Sequence, residues 1–226
     1  MADRNQIGYK SGVRVVLIAA KELAFAKSRL GVRLGVDERR HLAEEMFRDV
    51  LAAAASSRLA DHIAVVSSDR TLLELARAAG ALVIDEEFPR GLNTAVRLAT
   101  NALVAGGASA LVTLLSDIPL VTGDDIDTVF ESLPRAPGVV LVPSRDLTGT
   151  NMLARTPGDV LLTRFGSNSL ARHLGECRRL NLACKLVNLP RPAVDLDVVA
   201  DLMEFMRVPS TTHTFRRLAR LGLADG

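Results

Sequence analysis

Tryptophan is absent from this chain, tyrosine occurs once and phenylalanine seven times, so aromatic residues make up 4% of its 226 positions. Base-stacking platforms for single-stranded nucleic acid need more rings than this, and no basic run is interleaved with the few present. An excess of one charge is also missing. The 28 Lys and Arg against 26 Asp and Glu leave a net charge of +2, too little for a broad polyanion footprint. Lysine is scarce, confined to Lys10, Lys21, Lys27 and Lys185, so each lysine calls for a specific reason. The two cysteines, Cys177 and Cys184, fit neither a disulfide framework nor paired zinc-ligand spacing, and the four histidines are scattered. Both thiols are expected to be reduced and buried. No apolar run approaches the ~18 residues of a membrane span, and the opening Met-Ala-Asp-Arg-Asn-Gln lacks the order of a signal peptide. The expectation is a cytoplasmic protein with neither nucleic acid nor membrane as partner.

What is present is a regular alternation of short apolar runs and helical patterns. Val13 to Ala19 is continuous and β-branched, as in a parallel strand covered on both faces. Asp37 is expected to cap a helix through about Ser56, with Leu42, Met46 and Val50 on one side. Strand patterns follow at 63–67, 82–84 and 110–115, and helical ones at 69–79, 92–104 and 124–133, with Gly80 and Gly106-Gly107 as breaks. The later part is looser, with strands at 139–142, 151–154 and 184–188 and helices at 170–180 and 198–206. At 48% hydrophobic and 24% charged, the chain suits one core. This predicts a single-domain, Rossmann-like α/β fold with a mostly parallel central sheet and helices on both faces. Residues 1–12 read as a tail, 13–208 as the domain, and 209–226 as an Arg-rich tail or short helix. Arg216, Arg217 and Arg220 there suggest a solvated or oligomer-contacting face, which leaves a homodimer open.

In an open parallel sheet, ligands bind beyond the carboxyl ends of the strands. The loop after the first strand carries Lys21, Lys27 and Arg29, placed to neutralise a polyphosphate, without a Walker or dinucleotide glycine motif. The fourth strand ends in Ser116-Asp117-Ile118-Pro119, putting a carboxylate where Mg²⁺ could take it as a hard oxygen ligand. Near the other end, Asp195-Leu196-Asp197 points two carboxylates to one side of an extended stretch. Asp197 competes as a helix cap, though capping accounts for only one of the pair. Thr148-Gly149-Thr150-Asn151 and Arg164-Phe165-Gly166-Ser167-Asn168-Ser169 both suit anions, the second opening a helix. Either could be an ordinary turn. Arg90-Gly91-Leu92-Asn93 starts a helix after the third strand and could set Gly91 and Asn93 against a base or ribose, with Ser67 at the end of the second strand. His173 reads as packed rather than catalytic, because no relay to it can be assembled.

Taken together and in this order, these segments resemble the 2-phospho-L-lactate or phosphoenolpyruvate guanylyltransferases of coenzyme F-420 biosynthesis. They are Lys21 with Ala26-Lys27-Ser28-Arg29-Leu30, Gly91-Leu92-Asn93, Ser116-Asp117-Ile118-Pro119-Leu120, Gly149-Thr150-Asn151, Arg164-Phe165-Gly166, Ser169-Leu170-Ala171-Arg172-His173 and Asp195-Leu196-Asp197. The resemblance implies a nucleotidyltransferase fold in which Asp117, Asp195 and Asp197 hold Mg²⁺, and Thr150, Gly166 and Ser169 bind the phosphorylated acid. Lys21 and Lys27 would be catalytic, and Arg29, Ser67, Gly91 and Asn93 would contact GTP. The implied product is a guanylylated acid passed to a downstream transferase. Phosphoenolpyruvate is the favoured acceptor, ahead of 2-phospho-L-lactate, 3-phosphoglycerate, or a molybdopterin or sugar phosphate. The non-enzyme alternative is a nucleotide-binding module.

Overall fold

The computed structural model describes residues 12–25 and 27–222. Residues 1–11 and 223–226 of the expected tails, and Ala26 of the loop motif, lie outside the described residues. The continuous Val, Ile and Leu runs become the buried centre of a seven-stranded sheet. Strand β1 (Val13–Ala19) pairs in parallel with β2 (His62–Ser67) on one side and β4 (Ala108–Leu115) on the other, and β3 (Leu82–Asp85) lies outside β2. Beyond β4 come β6 (Thr150–Thr156), β5 (Gly138–Pro143) and β7 (Ala183–Leu186), giving the order β3-β2-β1-β4-β6-β5-β7. Only β6 runs antiparallel to its neighbours. The mostly parallel α/β sheet read from the sequence is therefore present, with its mixed half on the expected side.

Side chains alternate along β1 so that Val16 and Ile18 face one layer and Val15, Leu17 and Ala19 the other. The first layer is α1 (Val36–Ala55), α2 (Arg70–Ala78) and α4 (Gly123–Glu131), which contribute Phe47, Leu72 and Ile126. The second is α3 (Leu92–Ala105) and α5 (Ser169–Arg179), with Val96, Leu103, Leu170 and Cys177. A smaller cluster joins Leu42 and Met46 of α1 to α6 (Val199–Met206) and α7 (His213–Arg220) through Leu202, Phe205 and Leu218. Both cysteines are free, Cys177 buried and Cys184 only partly so. No helix among the described residues is long and apolar enough to cross a membrane.

One local expectation needs correction, the cap of α1. Helix α1 begins at Val36 with Gly35 as its cap, because Glu38 reaches back to accept the Gly35 N–H at 2.8 Å, so Asp37 sits inside the first turn. In α4 the cap is Thr122, which exchanges hydrogen bonds with Asp125. Of the two readings of the segment after residue 208, a tail or a short helix, the structure has the short helix, α7. Buried Asp49 of α1 accepts the backbone N–H of His213 (2.7 Å) and Thr214 (2.9 Å) and the Thr214 hydroxyl (2.6 Å), docking the start of α7. Asp49→Ala would leave three donors without this acceptor, an expected loss of about 2 kcal/mol. Thermal unfolding should then shift down by roughly 4–8 °C while turnover at 25 °C stays near wild type.

Candidate active site

The sheet order reverses between β1 and β4, and the unusual loops gather beyond the carboxyl ends of these two strands. The loop after β1 swings through a left-handed residue at Lys27 (φ 54°) into a short 3-10 turn, Ser28–Val32, anchored by fully buried Leu30. Lys27 Nζ thereby lies 2.9 Å from Asp117 Oδ2 and 2.8 Å from Asp197 Oδ1, with its side chain only 7% exposed. Burial alone would lower the Lys27 pKa, but the two carboxylates outweigh it and the net direction is upward. Burial pushes the Asp197 carboxyl up, yet Lys27 overcomes this, with Arg29 and Lys21 adding to it, and the group is held below its ordinary value. Asp195 has no hydrogen-bonded cation among the described residues, and Lys27 acts on it more weakly than burial does. Burial and then the neighbouring Asp117 charge raise its pKa.

The competing role for Asp197 is excluded by the helix itself. The cap of α6 is Val198, and the carboxylate serving that end is Asp201, which accepts the N–H groups of Asp197 (2.9 Å) and Val198 (2.8 Å). Asp197 is thus left free to face Lys27. The loop that carries it is fastened from several sides. Leu196 N–H donates to the Asp117 carbonyl at 3.3 Å, and Arg145 N–H to the Ala193 carbonyl at 2.9 Å. Arg191 clamps both oxygens of Asp125 at 2.9 Å each. The Asn151 amide donates to the Pro192 carbonyl at 2.9 Å, so this member of the presumed anion turn holds the aspartate loop instead.

Among the described residues, no three His, Cys, Asp or Glu groups form a ready-made metal cage. Lys27 stands between two of the three aspartates. The donor set still suits a hard cation: Asp117 Oδ1 is buried without a hydrogen-bond partner among the described residues, and Asp195 is close enough for the Asp117 charge to add to the effect of burial on its pKa.

A cleft of about 610 Å³ is lined by Lys21, Arg29, Asp117, Asp195 and Asp197 and also by Thr150, Gly166 and Ser169. Gly166 has φ +113°, a conformation that L side chains rarely adopt, and Ser169 N–H donates to its carbonyl at 3.1 Å as α5 begins. Across from it, Asp146 accepts from the Ser144 hydroxyl and from both the backbone and the hydroxyl of Thr148, which hold its pKa at about 2. Gly149 is required in this turn, since a Cβ there would lie 2.8 Å from Ser144 Oγ.

Two of the residues expected to contact the nucleotide have partners within the chain. Asn93 spends its amide on a backbone, donating to the Phe165 carbonyl (2.9 Å) and accepting the Phe165 N–H (2.8 Å), and so clamps the loop that presents Gly166. Ser67 is fully buried and accepts the Asp69 N–H at 3.0 Å. Its neighbour Ser68 is the one that reaches a cavity, of about 170 Å³, beside Lys21, Glu86, Gly91 and Leu92. The Ser68 hydroxyl is buried there with no hydrogen-bond partner, and burial, then the Glu22 charge, raises the Glu86 pKa. Ser67 is the last residue of β2, and Ser68 stands in the bend that follows it.

His173 is packed, as expected, with 0% exposure. Its Nδ1 lies 3.0 Å from Thr150 Oγ1, and its Nε2 accepts the Arg164 N–H at 2.8 Å. Burial, followed by the charges of Arg155, Arg164 and Arg172, lowers its pKa from 6.5 to about 4. The sign of the linkage follows directly. Above pH 6.5 folded and unfolded chains are both neutral at this group, whereas between 6.5 and about 4 the unfolded chain binds a proton that the folded one refuses. Stability should fall by about 3 kcal/mol across that window as pH drops, and this component should level off below it. Urea unfolding of wild type and His173→Gln at pH 7, 6, 5 and 4 would check it, the variant losing that component.

The family model described as Guanylyl transferase CofC like matches residues 14–225 of the chain. The chain is 36% identical over 190 residues to a phosphoenolpyruvate guanylyltransferase of Sphaerobacter thermophilus, covering 84% of this chain and 91% of that protein. It is also 36% identical over 199 residues to a 3-phospho-D-glycerate guanylyltransferase of Phenylobacterium zucineum, covering 87% and 91%. Among solved structures, it is similar in fold to a chain from Desulfovibrio desulfuricans described as a nucleotide-diphospho-sugar transferase. That match has a TM-score of 0.74 at 21% identity, covering 93% of this chain and 96% of that one.

Proposed function

The chain belongs to the CofC-like guanylyl transferase family, and from that premise we propose that it joins the phosphate of a small phosphorylated acid to the GMP portion of GTP, releasing pyrophosphate. The observation that carries this reading is that one cleft is lined both by Lys21, Arg29 and the three aspartates and by Thr150, Gly166 and Ser169. Phosphoenolpyruvate is the favoured acid, with 3-phosphoglycerate and 2-phospho-L-lactate next, in line with the names of the relatives.

Two anions must meet in this reaction, so the main requirement is charge management. Lys21 and Arg29 line the cleft and would neutralise the triphosphate, while Thr150, the Gly166 turn and the start of α5 at Ser169 would hold the acid. The acid's phosphate has a second pKa near ~6, so its oxygen is already an anionic nucleophile at neutral pH and needs no general base. This agrees with His173 being enclosed and neutral rather than poised beside the cleft. The oxygen would attack the α-phosphorus, form the new P–O bond and break the bond to the pyrophosphate oxygen. Lys27, a point charge held between Asp117 and Asp197, would stabilise the charge that develops there. Asp117, Asp195 and Asp197 would hold Mg²⁺, which when bound supplies further neutralisation of non-bridging phosphate oxygens. The guanylylated acid would be the substrate of a downstream transferase.

Pyrophosphate release should require GTP together with one of the three acids, and should stay near background with ATP or CTP. Release with molybdopterin or a sugar phosphate, and with none of the three acids, would favour the alternative acceptors. Absence of release with every acceptor would leave only a binding module.

A further inference from the structure

The reading of Thr150 as an acid ligand leaves open what aims its hydroxyl. We propose that His173 is a positioning residue that holds the Thr150 hydroxyl as a hydrogen-bond donor toward the acid's anionic oxygens.

A backbone N–H can only donate, so the 2.8 Å bond from Arg164 N–H requires a bare lone pair on His173 Nε2. A neutral imidazole with a bare Nε2 carries its proton on Nδ1. That proton lies on the line to Thr150 Oγ1, 3.0 Å away, so the histidine donates and the threonine oxygen accepts. Thr150 must then send its own hydrogen elsewhere, and no other partner for Oγ1 is found among the described residues. Thr150 lines the cleft, which leaves that hydrogen for an acceptor-only group such as a phosphate or carboxylate oxygen. With the opposite tautomer the hydroxyl would donate to the ring, and its lone pairs would meet an incoming anion.

The ring is also kept from turning. Phe165 packs edge-on against His173, with centroids 5.3 Å apart and planes at 77°, and Asn93 clamps the Phe165 backbone through both its amide atoms. A continuous chain of contacts therefore runs from the first turn of α3 through Phe165 and His173 to Thr150. It fixes the two halves of the acid site, the Gly166 turn and the β6 hydroxyl, relative to each other.

The test combines a spectroscopic measurement with a double-mutant cycle on the full chain. In ¹⁵N-histidine-labelled wild type, His173 is expected to show a protonated Nδ1 and a bare Nε2 from pH 8 down to pH 5. A protonated Nε2, or an even mixture of tautomers, would overturn the proposal without any variant having to fold. For the cycle, Thr150→Val should raise the KM for the acid ~10-fold while leaving the KM for GTP unchanged, the worth of one hydrogen bond to a charged group. The acid is whichever of phosphoenolpyruvate, 2-phospho-L-lactate and 3-phosphoglycerate supports turnover. His173→Gln retains an acceptor for Arg164 N–H but places no donor beside Thr150. It should also raise the acid KM selectively, and the double variant should have an acid KM no higher than that of Thr150→Val alone. Fully multiplicative effects, or equal rises in both KM values, would overturn the positioning role. If Thr150→Val leaves the acid KM unchanged, the assignment of Thr150 to the acid fails, and the proposal fails with it.

Discussion

Asp117→Asn is expected to lower kcat/KM for pyrophosphate release by ~10³-fold or more while leaving the protein folded. The substitution preserves the size of the side chain and leaves untouched the backbone carbonyl that receives Leu196 N–H, so the aspartate loop keeps its tether to the end of β4. What disappears is the charge at the centre of the cluster. Asp117 Oδ2 is bonded to Lys27, its Oδ1 has no partner, and its field reaches Asp195. An amide there cannot supply an anionic oxygen to a hard cation and offers Lys27 only a neutral acceptor. Because the Asp117 side chain is 27% exposed, the melting temperature should move by only a few degrees. Turnover within ~10-fold of wild type would remove Asp117 from the proposed chemistry.

Lys27→Met should cost a comparable ~10²–10³-fold in kcat, for a different reason. In wild type one ammonium, its side chain 7% exposed, touches two carboxylates, and removing it leaves like charges facing each other. Asp197 is 46% exposed, so solvent screens much of that repulsion, and the cost to stability is about 1–3 kcal/mol. Mg²⁺ should restore part of this. Melting in EDTA and in millimolar Mg²⁺ should therefore show a larger Mg²⁺-dependent rise for the variant than for wild type. Lys27→Arg should rescue poorly, since a planar fork does not replace a point charge bridging two oxygens at 2.8 and 2.9 Å. An active Lys27→Met whose melting ignores Mg²⁺ would show that the lysine and the cation do not share a site.

The sequence carried the frame of this fold because the frame rests on local signals. The β1 run, a helix within the 69–79 pattern and the Gly80 break all appear where residue type and spacing put them. Lys27, Asp117 and Asp197 were legible for a related reason, since charged groups at the carboxyl ends of buried strands need a partner or a ligand. Asn93, Asn151 and His173 looked like weak ligand candidates or ordinary packing because their partners are backbone groups or residues 72, 41, 23 and 9 positions away in sequence. Local spacing carries no trace of such bonds. Arg155 was missed for the same reason. It is fully buried on β6, bonded to the Leu161 carbonyl and the hydroxyls of Thr100 and Thr113, and burial lowers its pKa to about 10. Nothing in its immediate neighbours marks it as buried. Docking of α7 depends likewise on Asp49, more than 160 residues upstream.

The chemical claim that the rest depends on is that an oxygen of the acid's phosphate attacks the α-phosphorus of GTP. Phosphoenolpyruvate, or the acid that proves active, can be prepared with ¹⁸O in its phosphate and turned over with unlabelled GTP, and the products read by ³¹P NMR. Pyrophosphate should be free of label, with ¹⁸O at the bridge and on the acid-side phosphorus of a new diphosphate joining the acid to GMP. Release of GDP, or ¹⁸O in the inorganic pyrophosphate, would contradict that claim.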